Sequence, residues 1–173
     1  MSTNTLPVQS QLRAPRGLVQ LNGVNVPFIS FEVNNNVFYA ADTFRVVIPV
    51  SAMPTGAQLS DITGQGDVMV GIWAGFPTDP AHFSTGDLSQ LIYGKADAIS
   101  VNVTERGNVV ELNGRDLTAG MIDTKTVQKY PNLTSSQIAT QIAAAHGLTT
   151  NITATTTKVG TYYEIDHIQL RQQ

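Results

Sequence analysis

Apolar and polar residues alternate along several short stretches of this chain, which is typical of β-strands with one buried face. The stretch from Ile29 to Val33 reads Ile-Ser-Phe-Glu-Val, so its apolar side chains would share one side. Denser runs of β-branched residues, which favour strands, follow further along. The predicted strands are Ile29–Val33, Phe44–Val50, Asp67–Gly75, Leu91–Tyr93 with Ala98–Val103, and Val109–Leu112. The pattern therefore predicts a mainly β chain.

Turn residues separate these runs. Asn22-Gly23 lies between two short apolar runs and predicts a tight hairpin, because a type I′ turn requires positive φ at both central positions. Arg106-Gly107-Asn108 predicts a second hairpin, and Gly94 marks a predicted bulge within one strand. Two stretches that carry proline and glycine are predicted to be mostly loop, Met53–Gly66 and Phe76–Asp87.

One helix is predicted near residues 134–146. Thr134 and Gln137 have the spacing of a capping box, in which the hydroxyl accepts from a backbone amide and the Gln side chain reaches back. Ile138 begins an apolar stripe on a helix otherwise rich in alanine, and Gly147 stands where a left-handed residue ends a helix. The β-branched stretch Thr149–Lys158 then favours strand over helix.

Composition excludes several classes of function. The chain has 173 residues, a formal net charge of −3 and only 13% charged residues, so no basic field would hold nucleic acid or anionic lipid. It has no cysteine, so it has no disulfides and no thiolate chemistry. No secretion signal is recognisable at the N-terminus and no stretch is apolar enough to cross a membrane, so no membrane insertion is expected.

The side chains that usually perform chemistry are scattered. His82, His146 and His167 show none of the spacings of a metal site, and His146 suits the C-terminus of a helix. Trp73, inside a dense apolar strand, is predicted to be a core residue. We therefore predict no catalytic, cofactor-binding or metal-binding residues, no cofactor, and no enzymatic activity.

Arg115 and Asp116 are open to two interpretations. They follow Asn113-Gly114, where a strand is predicted to end, and precede a short apolar segment that closes at Asp123. A functional interpretation makes them a subunit contact or charges that face a channel. A structural interpretation lets Asp116 cap the segment that starts at Leu117, while Arg115 forms a local ion pair.

These segments together resemble the late control protein D family, the baseplate hub proteins of contractile-tailed phages. Leu112 to Asp123 reads Leu-Asn-Gly-Arg-Asp-Leu-Thr-Ala-Gly-Met-Ile-Asp, and Thr134 to Leu148 is similar to the family's helix. Asp42 to Val46 is similar to its first long strand, and Gly94 to Asp97 to a later connection. The motif residues, expected to be structural or to contact other subunits, are Asp42, Phe44, Gly114, Arg115, Asp116, Leu117, Asp123, Gln137, Ile138, His146 and Gly147.

The resemblance implies a β-rich α+β fold, a tail-tube-like antiparallel β-barrel with the helix near 134–146 packed on it. Residues 1–16 would be a flexible arm and 17–125 the barrel. Residues 126–173 would form a helix and β extension leading into a second half that is missing here or is a separate chain. Family members usually continue well beyond the segment matched here.

The function that the resemblance implies is structural. Such a hub joins the tail tube to the central spike, assembles as a trimer, contacts other baseplate proteins, and lines a channel through which DNA passes without specific binding. Its location would be the tail baseplate of the virion, after assembly in the host cytoplasm.

Four other functions remain open from sequence. A tailocin or contractile secretion machine has a hub of the same fold, and a tail tube subunit has the same barrel. A secreted carbohydrate-binding β-module would expose aromatic residues on one face, yet the chain has a single Trp. An enzyme such as a spike-linked lysozyme would require an acid–base pair of carboxylates, and no motif indicates one.

Overall fold

A computed structural model describes residues 14–36, 40–64, 66–104 and 107–164 of the protein. The chain divides into two compact units, which we describe separately. The first contains residues 1–34 and 43–116, and the second contains residues 35–42 and 117–173. No helix in the described part of the chain is long and apolar enough to cross a membrane.

The first unit is built on a seven-stranded antiparallel sheet. Its strands are β1 (Arg16–Leu21), β2 (Val24–Val26), β3 (Ser30–Asn34), β4 (Thr43–Pro49), β5 (Met69–Gly75), β6 (Ser89–Thr104) and β7 (Gly107–Asp116). Their order across the sheet is β2-β1-β5-β6-β7-β4-β3, so β2 and β3 are its edge strands. The sheet curves until Phe31 of β3 lies against Gly17 of β1. The mainly β, antiparallel prediction is confirmed, and barrel closure stays a prediction.

The predicted hairpin at Asn22-Gly23 is confirmed. Both residues have positive φ, 47° and 83°, and join β1 to β2 with Leu21 opposite Val24. The Asn22 side-chain oxygen also accepts a hydrogen bond of 2.8 Å from the backbone N–H of Met69. The turn is therefore fixed to the start of β5 as well as to its own strands.

Alternate residues of the long strands form the core of the first unit. The inward residues, each with no exposed surface, are Val19, Leu21, Val46, Ile48, Val70, Ile72, Val110 and Leu112. Burying a side chain of this size stabilises the fold by about 1.5–3 kcal/mol. The core is thus made by the same two-residue period that predicted the strands.

The prediction that Met53–Gly66 is mostly loop was wrong in part. Within it lies helix α1 (Leu59–Gly64), whose Ile62 joins the core. Asp61 accepts a hydrogen bond of 3.0 Å from the backbone N–H of Gln58, which orders the start of the helix. A helix this short shows no clear period in sequence, and it forms because Ile62 has a core to bury against.

Two irregularities lie on either side of Gly94, where a bulge was predicted. The β5–β6 ladder shifts register between Ile72 and Trp73, and the β6–β7 ladder shifts between Ala96 and Ala98. The second shift leaves Asp97 as the extra residue on β6. Strand β6 therefore bends twice, and Gly94 lies between the bends.

Trp73 is not a core residue, contrary to the prediction. Because Ile72 points inward, Trp73 points to the outer face of the sheet, where it pairs with Leu18 and stays partly exposed. Its six-membered ring occupies the space where a side chain of Gly71 would begin. Strand alternation therefore outweighs the usual preference of Trp for the interior.

The second unit contains a two-stranded sheet and two helices. Its elements are α2 (Ala119–Asp123), β8 (Gln128–Pro131), α3 (Ser135–Ala145) and β9 (Thr161–Glu164), with β8 antiparallel to β9. No strand was predicted where β8 lies. Tyr130 of β8 and Tyr162 of β9 are paired, and their rings lie 6.2 Å apart. This pairing, invisible in the local pattern, explains the strand.

Helix α3 and both of its ends are as predicted. Thr134 Oγ1 accepts from the Gln137 N–H at 3.3 Å, and Gln137 Oε1 accepts from the Thr134 N–H at 2.9 Å. At the other end Gly147 has φ of 69°, and the N–H of Leu148 donates to Ala143 O at 2.9 Å. This is a Schellman ending, which satisfies carbonyls that the helix leaves free.

The strand favoured for Thr149–Lys158 is not observed. Among these residues only Lys158 forms a β-bridge, with Thr134, and the rest have no regular structure. Thr155 instead hydrogen-bonds Ser136 through its backbone N–H and its hydroxyl. Side-chain contacts to the helix thus replace strand pairing.

The predicted bounds of the arm (1–16), the barrel (17–125) and the helix and β extension (126–173) stay predictions.

Candidate functional site

The motif residues that carry the family resemblance fall in both units. Phe44 lies on β4, and Gly114, Arg115 and Asp116 lie on β7 of the first unit. The motif residues of the second unit are Asp42, Leu117, Asp123, Gln137, Ile138, His146 and Gly147. The motif residues are therefore divided between the two units.

Two glycines allow β6 and β7 to approach closely. A side chain at Gly94 would collide with the backbone carbonyl of Arg115. A side chain at Gly114 would collide with the backbone carbonyl of Lys95 and with the Phe44 ring. Glycine within a strand often marks such an approach. Gly114 and the Phe44 ring therefore pack together where β6 and β7 lie closest.

Strand β7 continues through Asp116, past the end predicted at Asn113-Gly114. Arg115 lies between β6 and β4, where it pairs with Thr43. Asp116 pairs with Gly94 of β6 alone. Helix α2 begins after Thr118, and the Thr118 side chain forms no capping hydrogen bond. Sheet pairing thus extends past the predicted strand end, and capping of the segment from Leu117 by Asp116 stays a prediction.

Arg115 forms an ion pair, as its structural interpretation required. Its Nε donates to Asp97 Oδ2 at 2.8 Å, and its Nη2 donates to Asp97 Oδ1 at 3.3 Å. The partner is the bulge residue of the neighbouring strand, so the register shift of β6 is what places the carboxylate beneath the guanidinium. Two parallel hydrogen bonds fix the orientation of both side chains.

A second two-pronged ion pair lies beside the first. Arg45 donates to both carboxylate oxygens of Glu111, at 2.8 and 2.7 Å, and Asn113 donates to Glu111 Oε1 at 3.1 Å. Hydrogen bonds from Arg45 and then Asn113 lower the pKa of Glu111 from 4.5 to about 2. The same contact with Glu111 raises the pKa of Arg45 above its usual value.

These pairs surround a shallow groove on the outer face of the first unit, which we call the arginine groove. Its volume is about 370 Å³. It is lined by Glu32, Asn34, Thr43, Phe44, Arg45, Asp97, Asn113, Gly114 and Arg115. Both arginines already have carboxylate partners, so neither is available to a phosphate without breaking an ion pair. The arginine side chains at the groove are thus held in place by their ion pairs.

The sequence singled out Phe44, Gly114 and Arg115 of the groove, but not the ion partners of its arginines. Arg45 and Glu111 are far apart in the chain, and only the β4–β7 ladder brings them to neighbouring positions. The available signal was the polar side of β7, where Glu111, Asn113 and Arg115 alternate with buried residues. That alternation shows a polar face but does not identify the partners of its charges.

The motif residues of the second unit mainly shape the backbone. Asp42 accepts from the N–H of Asn36 at 2.6 Å, Gln137 completes the capping box, and Ile138 is buried. His146 is the C-cap of α3, directly before Gly147. Leu117 is partly exposed, and Asp123 ends α2. A role of these residues in subunit contact stays a prediction.

No metal centre is visible in the described part of the chain, where no three His, Cys, Asp or Glu side chains cluster. His82 contacts Asp79 at 3.1 Å, but its side chain is 89% exposed in a loop. His167 lies outside the described residues. The described histidines therefore have surface or capping positions.

A third feature is a stretch of β6 that extends beyond its neighbour β5. The β5 ladder reaches β6 only as far as Lys95, and the last bond on that side joins the Ala96 N–H to Val68. We call the segment from Ala98 to Val103 the free edge of β6, because no described strand pairs with that side of it. It contains no charge, and its Val101 and Val103 are 45% and 81% exposed.

No family model and no curated protein matches this chain. Among solved structures, the 43 kDa tail protein of prophage MuSo2 from Shewanella oneidensis aligns with 92% of this chain at TM-score 0.62 and 14% identity. The tail protein from Neisseria meningitidis MC58 aligns with 76% of it at TM-score 0.52 and 15% identity.

Both likenesses are structural, and at such identities they show a shared fold. This chain spans 47% of the first protein's length and 34% of the second's. It therefore has the fold of a part of each of these tail proteins.

Proposed function

We propose that this chain is a structural component of a phage tail, and more specifically a part of a baseplate hub of the late control protein D type. The observation that carries the proposal is the fold shared with a prophage tail protein over 92% of the chain. The motif residues from Leu112 to Asp123 and from Thr134 to Leu148 support the finer assignment. The proposed activity is not enzymatic.

The proposed mechanism is geometric. The free edge of β6 would pair with a strand of a second copy, since exposed backbone N–H and C=O groups on a segment that contains no charged residue favour strand addition. Copies joined in this way would form the expected trimer around a channel. The ion pairs of the arginine groove would keep the outer face of the first unit rigid, because its charges are already paired within one chain.

The proposed partners follow from that position in a tail. They are further copies of the chain, the tail tube above, the central spike below and other baseplate proteins. DNA would pass through the channel without specific contact, and a chain of net charge −3 suits this because phosphate binding requires Lys and Arg. The proposed location is the virion baseplate, after assembly in the host cytoplasm.

The test is quantitative mass spectrometry of purified tailed particles, with labelled standard peptides for this chain, the main tube protein and the main capsid protein. The hub proposal predicts a few copies per particle, together with cross-links to both tube and spike proteins. A copy number equal to that of the tube protein would replace the hub with a tube subunit. Absence from particles would overturn the tail proposal itself.

The same experiment on a purified tailocin or contractile secretion machine separates the closely related alternatives. A few copies in a particle that has no capsid protein would assign the chain to one of these machines. The fold and the proposed assembly mechanism would then stand, while the location in a virion would not.

A further inference from the structure

One stretch of the second unit is extended like a strand but lies in no sheet. Residues 149–158 are rich in the β-branched residues that favour strands, yet only the last of them forms a β-bridge. Thr150, Ile152 and Ala154 line the same side of the stretch, beside α3, and such alternation is typical of a strand. We call residues 149–154 the unpaired segment, because this part has the alternation of a strand without a partner strand.

The backbone of the unpaired segment is free to pair. All of its residues are exposed, and none of their backbone N–H and C=O groups has a hydrogen-bond partner in the described chain. The chain is attached to α3 on either side of the segment, by the Schellman turn before it and by hydrogen bonds of 3.1 Å between Thr155 and Ser136 after it. Strand addition uses exposed backbone groups of this kind.

The unpaired segment matches the free edge of β6 in length and charge. Each spans six residues, so one could cover the other along its whole length. Neither contains a charged residue or a proline, so nothing in either sequence opposes strand pairing. The segment and the edge are therefore suited to each other as donor and acceptor.

The apolar side chains of the two stretches also match. Val101 and Val103 point to the same side of the sheet as Ile99, which packs against the core, yet they are 45% and 81% exposed. Ile152 is 41% exposed, and Ala154 lies on the same side of the unpaired segment. Pairing that places these side chains together would remove apolar surface of both stretches from water.

The other strands with an open edge in the described chain are less suitable donors. Strand β2 has only three residues, and β3 carries Glu32. In the two-stranded sheet, β8 carries Lys129 and β9 carries Glu164. Charges on a strand edge oppose the addition of another strand, so the uncharged segment is favoured.

We propose that the free edge of β6 accepts the unpaired segment of a second copy of this chain as an added strand, with Ile152 and Ala154 on the same side as Val101 and Val103. The proposal names the partner strand for the free-edge assembly under the proposed function, and it rests on that assembly. Donor and acceptor are different surfaces, so the contact is head-to-tail, and such contacts form rings where the rotation closes. A ring of three copies would agree with the expected trimer.

The test makes use of the absence of cysteine from the native chain. A tagged Val101→Cys chain is mixed with untagged chains that each carry one substitution, and the mixture is mildly oxidised. Each chain has a single cysteine, so every disulfide joins two copies, and it forms only where the Cα atoms approach within about 7 Å. The untagged variants are Thr150→Cys, Asn151→Cys, Ile152→Cys, Thr153→Cys and Ala154→Cys.

The proposal predicts that the yield of tagged–untagged dimers alternates along the segment. It should be high for at least one of the variants at positions 150, 152 and 154, and about fivefold lower at 151 and 153, whose side chains would face the other way. Gln90→Cys in place of Val101→Cys is the matched control, because Gln90 is an exposed residue of β6 at a position that β5 covers. It should give little dimer with any of the five.

Equal yields at all five positions, or equal yields with Gln90→Cys, would overturn the proposal, because they would indicate random collision. An absence of mixed dimers would overturn it as well. Thermal unfolding under reducing conditions should show that the variants are folded.

Sedimentation separates this proposal from the assembly on which it rests. Ile152→Lys should weaken association about tenfold or more, whereas Val159→Lys, at an exposed valine outside the unpaired segment, should not. Association that Val103→Lys prevents, without alternating cross-links, would overturn the donor segment and leave the free-edge assembly in place. A native chain that stays monomeric would overturn both, while its copy number in tailed particles would still test the tail function.

Discussion

At the scale of single residues, Gly94 and Gly114 decide how closely β6 and β7 approach. Each one faces a backbone carbonyl of the other strand, and a backbone carbonyl cannot move aside as the end of a long side chain can. Strand interiors usually contain β-branched residues, so the two glycines are costly unless the close approach requires them.

Gly94→Ala and Gly114→Ala should each lower the free energy of unfolding by about 1–3 kcal/mol, because a methyl group would be forced against backbone atoms. Urea unfolding at neutral pH measures the change. Gly120→Ala is the control, since Gly120 lies in α2 with open space around it and alanine favours helix. Equal loss of stability in all three variants would contradict the role of close approach.

Glu111 makes the stability of the first unit depend on pH. Its pKa is about 2 in the fold and about 4.5 without its partners, so its ionised form stabilises the fold above pH 4.5. That contribution is lost as pH falls from 4.5 towards 2. The difference in unfolding free energy between the native chain and Glu111→Gln should therefore shrink across this window.

Urea unfolding at neutral pH and at several points below pH 4.5 measures that difference. In the background of Arg45→Met, Glu111→Gln should change the pH dependence in this window much less, because Arg45 is the main cause of the lowered pKa and only the hydrogen bond from Asn113 remains. If the full dependence persisted without Arg45, the hydrogen bond from Asn113 would be its source instead.

At the scale of elements, α3 is a helix with both ends defined by side-chain and backbone hydrogen bonds. Only Ile138 and Ala143 of its residues are buried, so packing contributes little and the ends contribute more. An isolated helix of this length is marginal in water. The capping box and the Schellman turn therefore account for much of its order.

Thr134→Ala should destabilise the second unit by about 1 kcal/mol, since it removes the hydroxyl that accepts from Gln137. Hydrogen exchange of the Gln137 amide should become faster, and circular dichroism should show helix loss at a lower temperature. Ser135→Ala is the control, because Ser135 is exposed and follows the cap. A similar effect of both substitutions would indicate general helix weakening rather than loss of the cap.

At the scale of the whole molecule, the free edge of β6 is a strand edge that no described strand of the same chain covers. Natural sheets protect exposed edges with charges or proline, and Ala98 to Val103 contains neither. The bulge at Asp97 precedes this segment and does not interrupt it. Assembly through this edge is the role that we assign to it in the proposed hub.

Val103→Lys should prevent this pairing, because a charge on a strand edge opposes the addition of another strand. Sedimentation over a range of concentrations should show association of the native chain and a monomer for the variant. Val127→Lys is the control, since Val127 is also a largely exposed valine but lies in the second unit. If Val103→Lys associated like the native chain, the contact would lie elsewhere.

Sequence alone determined the features that depend on neighbouring residues. The turn at Asn22-Gly23 and both ends of α3 follow from local backbone preferences, and the strands follow from a two-residue period. These preferences act within a few residues, so the sequence pattern contains them completely. The absence of a recognisable catalytic motif, and the family resemblance around Gly114 and Arg115, also came from sequence.

Tertiary structure alone decided which residues meet. Arg45 contacts Glu111 because β4 lies beside β7 in one register, and Asp97 contacts Arg115 because a bulge moves it by one position. Helix α1 and strand β8 form only because a core or a partner strand lies beside them. Long-range register is set by the packing of the whole sheet, and for this reason the arginine groove could not be predicted from the pattern of any single strand.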